Sequence, residues 1–189
     1  MPLRPWTIIG EDEIASTRIF KLHRDTAVSP RTGETVTFSR IEAPTWATVM
    51  PITPNLEIVL VRQWRPGVRE FTLEVVGGII EAGEDPTVGA AREAREETGY
   101  QGDAPVELGV VHPNPAVQDN VCHTFLIENA RPSSVQDMDA GEDIEIVPTP
   151  LSDLPGLVSS GTIMHTLALS AFWWLRAKRP DLDPWRLIR

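Results

Sequence analysis

The residues best suited to chemistry are glutamates that cluster between Gly78 and Tyr100. Glu93 and Glu97 are four residues apart, and Glu96 is three residues from Glu93, so on a helix the three carboxylates share one side. Like charges at this spacing repel, and a bound cation would relieve the repulsion. Carboxylate oxygens are hard ligands that suit Mg²⁺ or Mn²⁺. The spacing therefore predicts a divalent-metal site, although an acidic helix surface in solvent would carry the same residues.

A strand, a glycine-containing loop and a helix are predicted to position this cluster. Asp85 is a good N-cap, Pro86 suits the first helical position and Gly99 ends the pattern, which predicts a helix from Asp85 to Thr98. Arg92 lies inside this helix and can form ion pairs with the carboxylates.

The rest of the chain predicts strands that alternate irregularly with few helices. Residues 6–43 alternate weakly and predict a strand meander, in which 14–22 is one strand and 29–33 is a turn. Further strands are predicted at 46–53, 58–62, 71–76, 106–111, 121–127 and 145–148, and further helices at 154–158 and 164–178. This order favours an α/β fold with a mixed sheet over a repeating parallel sheet.

Charge and composition argue against several classes of protein, including nucleic-acid-binding and membrane proteins. The 189 residues carry a net charge of −10, which argues against nonspecific binding of nucleic acid or of an anionic membrane. Cys122 is the single cysteine, so no disulfide can form within the chain, and we expect a small buried side chain. There is neither a signal-peptide pattern nor an apolar stretch of about 18 residues. We therefore expect a cytoplasmic protein.

The glutamate cluster resembles the Nudix box, a motif of fixed glycine, glutamate and arginine positions. The matching residues are Gly78, Glu84, Arg92, Glu93, Ala94, Glu96, Glu97, Gly99 and Tyr100. The chain departs from the family's usual pattern at Ala94, where a larger aliphatic residue is more common.

The resemblance implies an α/β/α sandwich around a mixed sheet and cleavage of a nucleoside diphosphate linked to another group. The residues that match the family's metal ligands are Glu93 and Glu97, with Glu96 and the Gly77 carbonyl as further ligands. Arg92 and Glu84 would orient these ligands. Bound Mg²⁺, or Mn²⁺, would neutralise the diphosphate and lower the pKa of the attacking water.

Residues before the box resemble the branch of ADP-ribose and nucleoside diphosphate sugar pyrophosphatases. Val-Arg-Gln-Trp-Arg-Pro at 61–66 precedes Thr-Leu-Glu-Val-Val-Gly-Gly at 72–78. By this resemblance Arg65 would reach the substrate phosphates, with Glu74 beside the site. The alternative for Arg65 is an ordinary surface arginine.

Residues after the box add to the same resemblance. Pro115 lies fifteen positions after Tyr100, and Asn114 belongs to the amide-rich stretch around it, which is either a sugar or base contact or simply a polar loop. Gly-Glu-Asp-Ile-Glu at 141–145 resembles the branch's late acidic loop, which makes Glu142 the expected general base or additional metal ligand. Asp139 is a competitor for that role, and Ala140 stands where some relatives have a second glutamate. Trp46 either stacks on the base or packs in the core, and the same choice applies to Trp6.

Together these features predict a Mg²⁺-dependent pyrophosphohydrolase that cleaves a nucleoside diphosphate sugar or ADP-ribose into a nucleoside monophosphate and a sugar phosphate. Residues 1–43 would be an N-terminal strand extension and a candidate dimerisation element, and 44–189 the Nudix catalytic domain. We expect a homodimer with no nucleic-acid or membrane partner. The alternatives are a Nudix hydrolase of dinucleoside polyphosphates or modified nucleotides, and a sensor that binds nucleotide sugars without turnover.

Overall fold

The computed structural model describes residues 2–138 and 141–187. The chain forms two compact units. The first contains the chain up to Pro44 together with His112–Val121, and the second contains Thr45–Val111 together with the described chain from Cys122 onward. The segment 112–121 thus belongs with the N-terminal strands, although it lies far from them in sequence.

The first unit contains a three-stranded antiparallel sheet of β1 (Thr7–Ser16), β2 (Lys21–Val28) and β3 (Thr35–Glu42), in that order. The meander and its 29–33 turn are confirmed, since the Gly33 N–H donates to the Ser29 carbonyl at 2.9 Å. The prediction of one strand over 14–22 is wrong. A turn breaks it, because the Thr17 hydroxyl accepts hydrogen bonds from the backbone N–H groups of Ile19 and Phe20.

Side-chain hydrogen bonds hold the 112–121 segment against the first unit's strands. Arg40 donates to Asp25 at 2.8 Å and to Asp119 at 2.8 Å, and the hydrogen bond from Arg40 to Asp25 raises the pKa of Arg40. The Asn120 amide donates to the Pro44 carbonyl at 2.9 Å. These contacts explain why the segment belongs to the first unit.

The second unit is built around a six-stranded mixed sheet. Its elements include the strands β4 (Trp46–Pro51), β5 (Glu57–Arg65), β6 (Glu70–Ile79), β7 (Tyr100–Gln101), β8 (Val106–Val111), β9 (Cys122–Ile127), β10 (Arg131–Pro132) and β11 (Ile144–Pro150). The main sheet has the order β11-β5-β6-β4-β9-β8, and β7 pairs separately with β10. Strands β4 and β9 are parallel, whereas the other neighbours are antiparallel.

Helices cover both sides of this sheet. The helices are α1 (Pro86–Thr98), α2 (Leu154–Ser159), α3 (Thr166–Lys178) and α4 (Pro184–Leu187). Alternate residues of a strand point to opposite sides, so Val49 packs in one core cluster with Ala94 of α1, and Met50 packs in the other with Phe172 of α3. The predicted α/β/α sandwich with an N-terminal strand extension is confirmed, whereas α4 was not predicted. Within the described ranges no helix is both long and apolar enough to cross a membrane.

Candidate active site

The helix α1 begins and ends as its sequence predicts. The Asp85 carboxylate accepts a hydrogen bond from the Thr87 N–H at 2.8 Å and thereby caps the N-terminus. Gly99 adopts a left-handed φ of 70°, and its N–H donates to the Arg95 carbonyl at 2.8 Å. These two caps confirm the predicted helix and fix which glutamates face the sheet.

Arg92 lies at the centre of the carboxylate cluster. Its guanidinium donates two hydrogen bonds of 3.0 Å to Glu84, one of 2.9 Å to Glu93 and one of 3.0 Å to Glu96. A further bond of 3.1 Å reaches the Ile79 carbonyl at the end of β6. The hydrogen bonds to Glu84 are the largest cause of a strongly raised pKa of Arg92. Arg92 therefore ties the helix, the preceding loop and the strand end together.

The backbone of β6 approaches the carboxylates closely. A side-chain carbon on Gly78 would overlap the carboxyl group of Glu93, so any larger residue there would displace that carboxylate. The Gly77 N–H donates to the Glu97 carboxylate at 3.2 Å. The space at Gly78 and the backbone N–H of Gly77 thus let the acids of α1 lie against the β6 backbone.

Burial opposes the charge of the inner glutamates. Glu97 is 4% exposed, and burial, with added repulsion from Glu93 and Glu142, raises the pKa of Glu97 to about 8. Burial also raises the pKa of Glu93, despite its ion pair with Arg92. Carboxylates with raised pKa values in one cluster are typical of functional sites.

The chemistry of these donors fits a hard divalent cation. Three carboxylates share the charge of Arg92, and Glu97 adds a fourth, which accepts a hydrogen bond from the Gly77 N–H. In residues 2–138 and 141–187, no group of three or more His, Cys, Asp or Glu side chains is arranged to hold a metal ion. Arg92 binds one oxygen of Glu93 and one of Glu96. These carboxylates still supply the oxygen donors that a hard cation prefers.

A second polar cluster lies on β5 and β6. Arg65 donates through Nε and Nη2 to both oxygens of Glu74, each at 2.7 Å, and the Thr72 hydroxyl donates to the same carboxylate. Glu74 is 1% exposed; burial favours its neutral form, but the hydrogen bonds from Arg65 and Thr72 outweigh burial and lower the pKa of Glu74. The Arg65 side chain remains 40% exposed and can contact a ligand.

His165 extends this cluster to α3, and the sequence reading missed it. It is the N-cap residue of α3, and its Nε2 lies 3.6 Å from the Glu74 carboxylate. Burial lowers the pKa of His165, against the attraction of Glu74. Its Nδ1 is buried and has no hydrogen-bond partner within the described chain. A lone histidine before an apolar helix carries no sequence signal for such a role.

Glu142 interacts electrostatically with residues of both the Arg92 cluster and the Arg65 cluster. Its charge raises the pKa values of Glu93 and Glu97 and stabilises the cationic form of Arg65. Its competitor Asp139, and Ala140 at the place of a second glutamate, lie outside the described residues.

For the remaining predicted site residues, the described contacts are with the backbone of neighbouring strands and turns rather than with the two polar clusters. Trp46 is half-buried at the start of β4, where it pairs with Ile79 of β6. Asn114 and Pro115 are exposed in the first unit, where the Asn114 carbonyl accepts from Gln118 in a turn. Their substrate contacts stay predictions.

Trp6 also belongs to the first unit. Its ring packs edge-to-face on Phe38, with 5.1 Å between ring centroids. Base stacking and packing were the two roles expected for Trp6, and its contact with Phe38 is a packing contact.

Comparison with known proteins decides the family, because the NUDIX domain matches residues 43–160. The chain belongs to the Nudix hydrolase family. The resemblance of the 78–100 segment to the Nudix box is thereby confirmed. Hydrolases of this family generally need a divalent metal ion.

Curated relatives and solved structures of Nudix proteins resemble most of this chain. An ADP-ribose pyrophosphatase of Bacillus subtilis (strain 168) is 26% identical over 171 residues, which cover 90% of this chain and 92% of the relative. An ADP-sugar pyrophosphatase of Mus musculus is 28% identical over 165 residues, covering 78% and 74%. A crystal structure titled as an ADP compounds hydrolase superposes with a TM-score of 0.85 at 21% identity, covering 97% of this chain and 99% of that one. The structural match shows a shared Nudix fold.

The raised pKa of Glu97 makes the stability of the metal-free protein depend on pH. The folded chain holds a proton that the unfolded chain releases near pH 4.5, so stability falls as pH rises from 4.5 to about 8. We expect the Tm of EDTA-treated protein to fall between pH 6.5 and 8, because the Glu97 proton is lost from the folded protein in that range. Differential scanning calorimetry would measure this fall.

Three comparisons isolate the cause of this pH dependence. Glu97→Gln is expected to remove a large part of the fall, and Mg²⁺ to reverse it in the wild type at pH 8. Glu145→Gln, in an exposed pair with Arg62, should leave it unchanged. An equal slope in Glu97→Gln and wild type would contradict the buried-carboxylate explanation.

Proposed function

We propose that the chain is a Mg²⁺-dependent pyrophosphohydrolase of ADP-ribose or a related nucleoside diphosphate sugar. The products would be a nucleoside monophosphate and a sugar phosphate. The observation that carries the proposal is the buried carboxylate pair Glu93 and Glu97, held against the β6 glycines with raised pKa values. The printed names of the bacterial and mouse relatives support the substrate class.

The metal-binding half of the proposed site consists of oxygen donors. Glu93, Glu97 and the Gly77 carbonyl would hold the ion, with Glu96 as a further ligand. When bound, Mg²⁺ would neutralise the diphosphate and lower the pKa of the attacking water. Arg92 holds Glu93 and Glu96 in place, and Glu84 holds Arg92.

Glu84 has its own anchor, since it accepts the Glu81 N–H at 2.9 Å. The orientation of the ligands therefore depends on a chain of hydrogen bonds that reaches the backbone of the loop before α1. In the proposed reaction Arg92 and Glu84 act by holding the ligands rather than by touching the substrate.

The proton of the attacking water needs an acceptor, and Glu142 is the proposed one. Its charge acts on Glu93, Glu97 and Arg65, which supports a position between the metal ligands and the phosphate-binding residue. A carboxylate there would act as general base or as an additional metal ligand.

The substrate-binding half begins at Arg65, whose charge would bind a phosphate oxygen. Glu74 holds the guanidinium in one orientation through two hydrogen bonds, which limits the entropy lost when a ligand binds. Trp46, Asn114 and Pro115 are the proposed contacts for the base and the sugar.

Residues 1–43 are the proposed dimerisation element. Every residue of β1 is exposed, and Ile8 and Ile14 retain 56% and 47% of their accessible surface. Apolar side chains on an exposed strand are typical of an interaction surface. We place the homodimer in the cytoplasm, which the buried, unpaired thiol of Cys122 supports.

Removing the charge of a proposed ligand should abolish turnover. Glu97→Gln is expected to lower kcat for ADP-ribose with Mg²⁺ by about 100-fold or more, because a neutral amide is a poor ligand for a hard cation. Release of AMP would be measured by chromatography, with folding checked by circular dichroism. Glu107→Gln is the matched control, and near-normal turnover in Glu97→Gln would remove Glu97 from the site.

The fork geometry of Arg65 should matter beyond its charge. Arg65→Lys keeps the charge but loses the paired hydrogen bonds to Glu74, so KM is expected to rise about tenfold with a smaller change in kcat. Arg62→Lys is the control, since Arg62 lies on the same strand and pairs with exposed Glu145 at 3.1 Å. Steady-state kinetics for both variants would test this, and equal KM values would make Arg65 an ordinary surface arginine.

The proposed dimer has a direct test in solution. Light scattering should give the wild type a mass near twice the 20.9 kDa chain. The double variant Ile8→Glu, Ile14→Glu should be monomeric, because charges on the strand would be buried without partners. Val106→Glu, on exposed β8 of the second unit, should remain dimeric. A monomeric wild type would exclude the homodimer.

A further inference from the structure

The segment 133–138 forms hydrogen bonds with the C-terminal end of α1 and with the start of β11. The last carbonyls of a helix lack partners within the helix. The Glu96 carbonyl accepts the Asp137 N–H at 2.9 Å, and the Glu97 carbonyl accepts the side-chain amide of Gln136 at 2.7 Å. The segment thus binds the helix at Glu96 and Glu97, two of the three helix residues that are proposed metal ligands.

The Gln136 amide also reaches a second element. Its nitrogen donates to the Ile144 carbonyl at 3.2 Å, and it lies 3.8 Å from the Met138 sulfur. A primary amide has two N–H donors, so the two carbonyl contacts can use both. Ile144 is buried, opens β11 and follows Glu142 by two residues. One side chain therefore links the backbone of Glu97 with the strand that begins beside Glu142.

We propose that Gln136 is a positioning residue that sets Glu142 relative to Glu97 by joining the Glu97 and Ile144 carbonyls. This inference rests on the proposed function, in which the two glutamates serve one site. Gln136 touches neither substrate nor metal in this role, and it acts through the backbone of α1 and β11. Its half-buried position shields both hydrogen bonds from competing water.

Capping of the helix alone does not account for this geometry. The Ser133 hydroxyl donates to the Gly99 carbonyl at 3.1 Å, and the N–H groups of Ser133 and Ser134 donate to the same oxygen. The Gly99 carbonyl therefore has partners that do not include β11. Ser133→Ala is accordingly a matched control that removes one cap contact and leaves the Gln136 bridge.

The test replaces the two donors and follows metal binding without substrate. Gln136→Glu keeps the shape but places carboxylate oxygens against two carbonyl oxygens, and Gln136→Met removes the donors without adding charge. Residues that position metal ligands typically change affinity by about 10- to 100-fold. We expect Mn²⁺ affinity, measured by calorimetry, to fall about tenfold in both variants, with a fall in kcat, while Ser133→Ala changes neither.

A double-mutant cycle with Glu142→Gln separates positioning from stability. If Gln136 acts through Glu142, Gln136→Met should change Mn²⁺ affinity or kcat by less than about twofold in the Glu142→Gln background. Additive effects on both quantities would overturn the proposal, and so would a lower Tm with unchanged Mn²⁺ affinity and kcat. The Mn²⁺ affinity can be measured without a nucleotide sugar. A wild type that binds Mn²⁺ but cleaves no nucleotide sugar would contradict the proposed function, and the Mn²⁺ measurement would still test the role of Gln136.

Discussion

The cost of keeping several carboxylates together and away from water is the constraint on which this structure depends. Glu93 and Glu97 are both buried, and burial raises the pKa of both. Arg92 offsets part of the repulsion through its hydrogen bonds to Glu84, Glu93 and Glu96, but it does so as a single charge. The remaining negative charge is what makes a divalent cation favourable here. The close approach at Gly78 and the two caps of α1 maintain this arrangement.

The substrate half of the site follows a different physical rule. Glu74 is buried with a lowered pKa, because Arg65 and Thr72 both donate to it. A fully partnered carboxylate is an anchor rather than a reactive group. The chain thus uses buried glutamates in two ways: with raised pKa values where a cation is expected, and with a lowered pKa where an arginine must be held.

Local signals in the sequence predicted the elements that depend on local chemistry. The helix α1 was predicted because Asp85, Pro86 and Gly99 act on residues close to them in the chain. The spacing within the motif identified the glutamates of the proposed metal site. The turn at Thr17 was missed, because its hydroxyl competes with strand pairing in a way that alternation does not reveal. His165 and Gln136 were missed for another reason. Their partners Glu74 and Glu97 are brought near only by tertiary structure.

The parallel pairing of β4 with β9 joins two strands that are far apart in the chain. Thr48 and Thr124, neighbours across this pair, are 76 residues apart in the chain, and α1 lies within the loop that their pairing closes. Non-local strand pairs are slow to form, because chain entropy is lost before contacts compensate for it. A nascent chain that ends just after Gly99 would hold every glutamate of the motif and still lack β9 beside the central strand. Such a chain would also lack Phe125 and Ile127, which share a core cluster with Ala94 of α1.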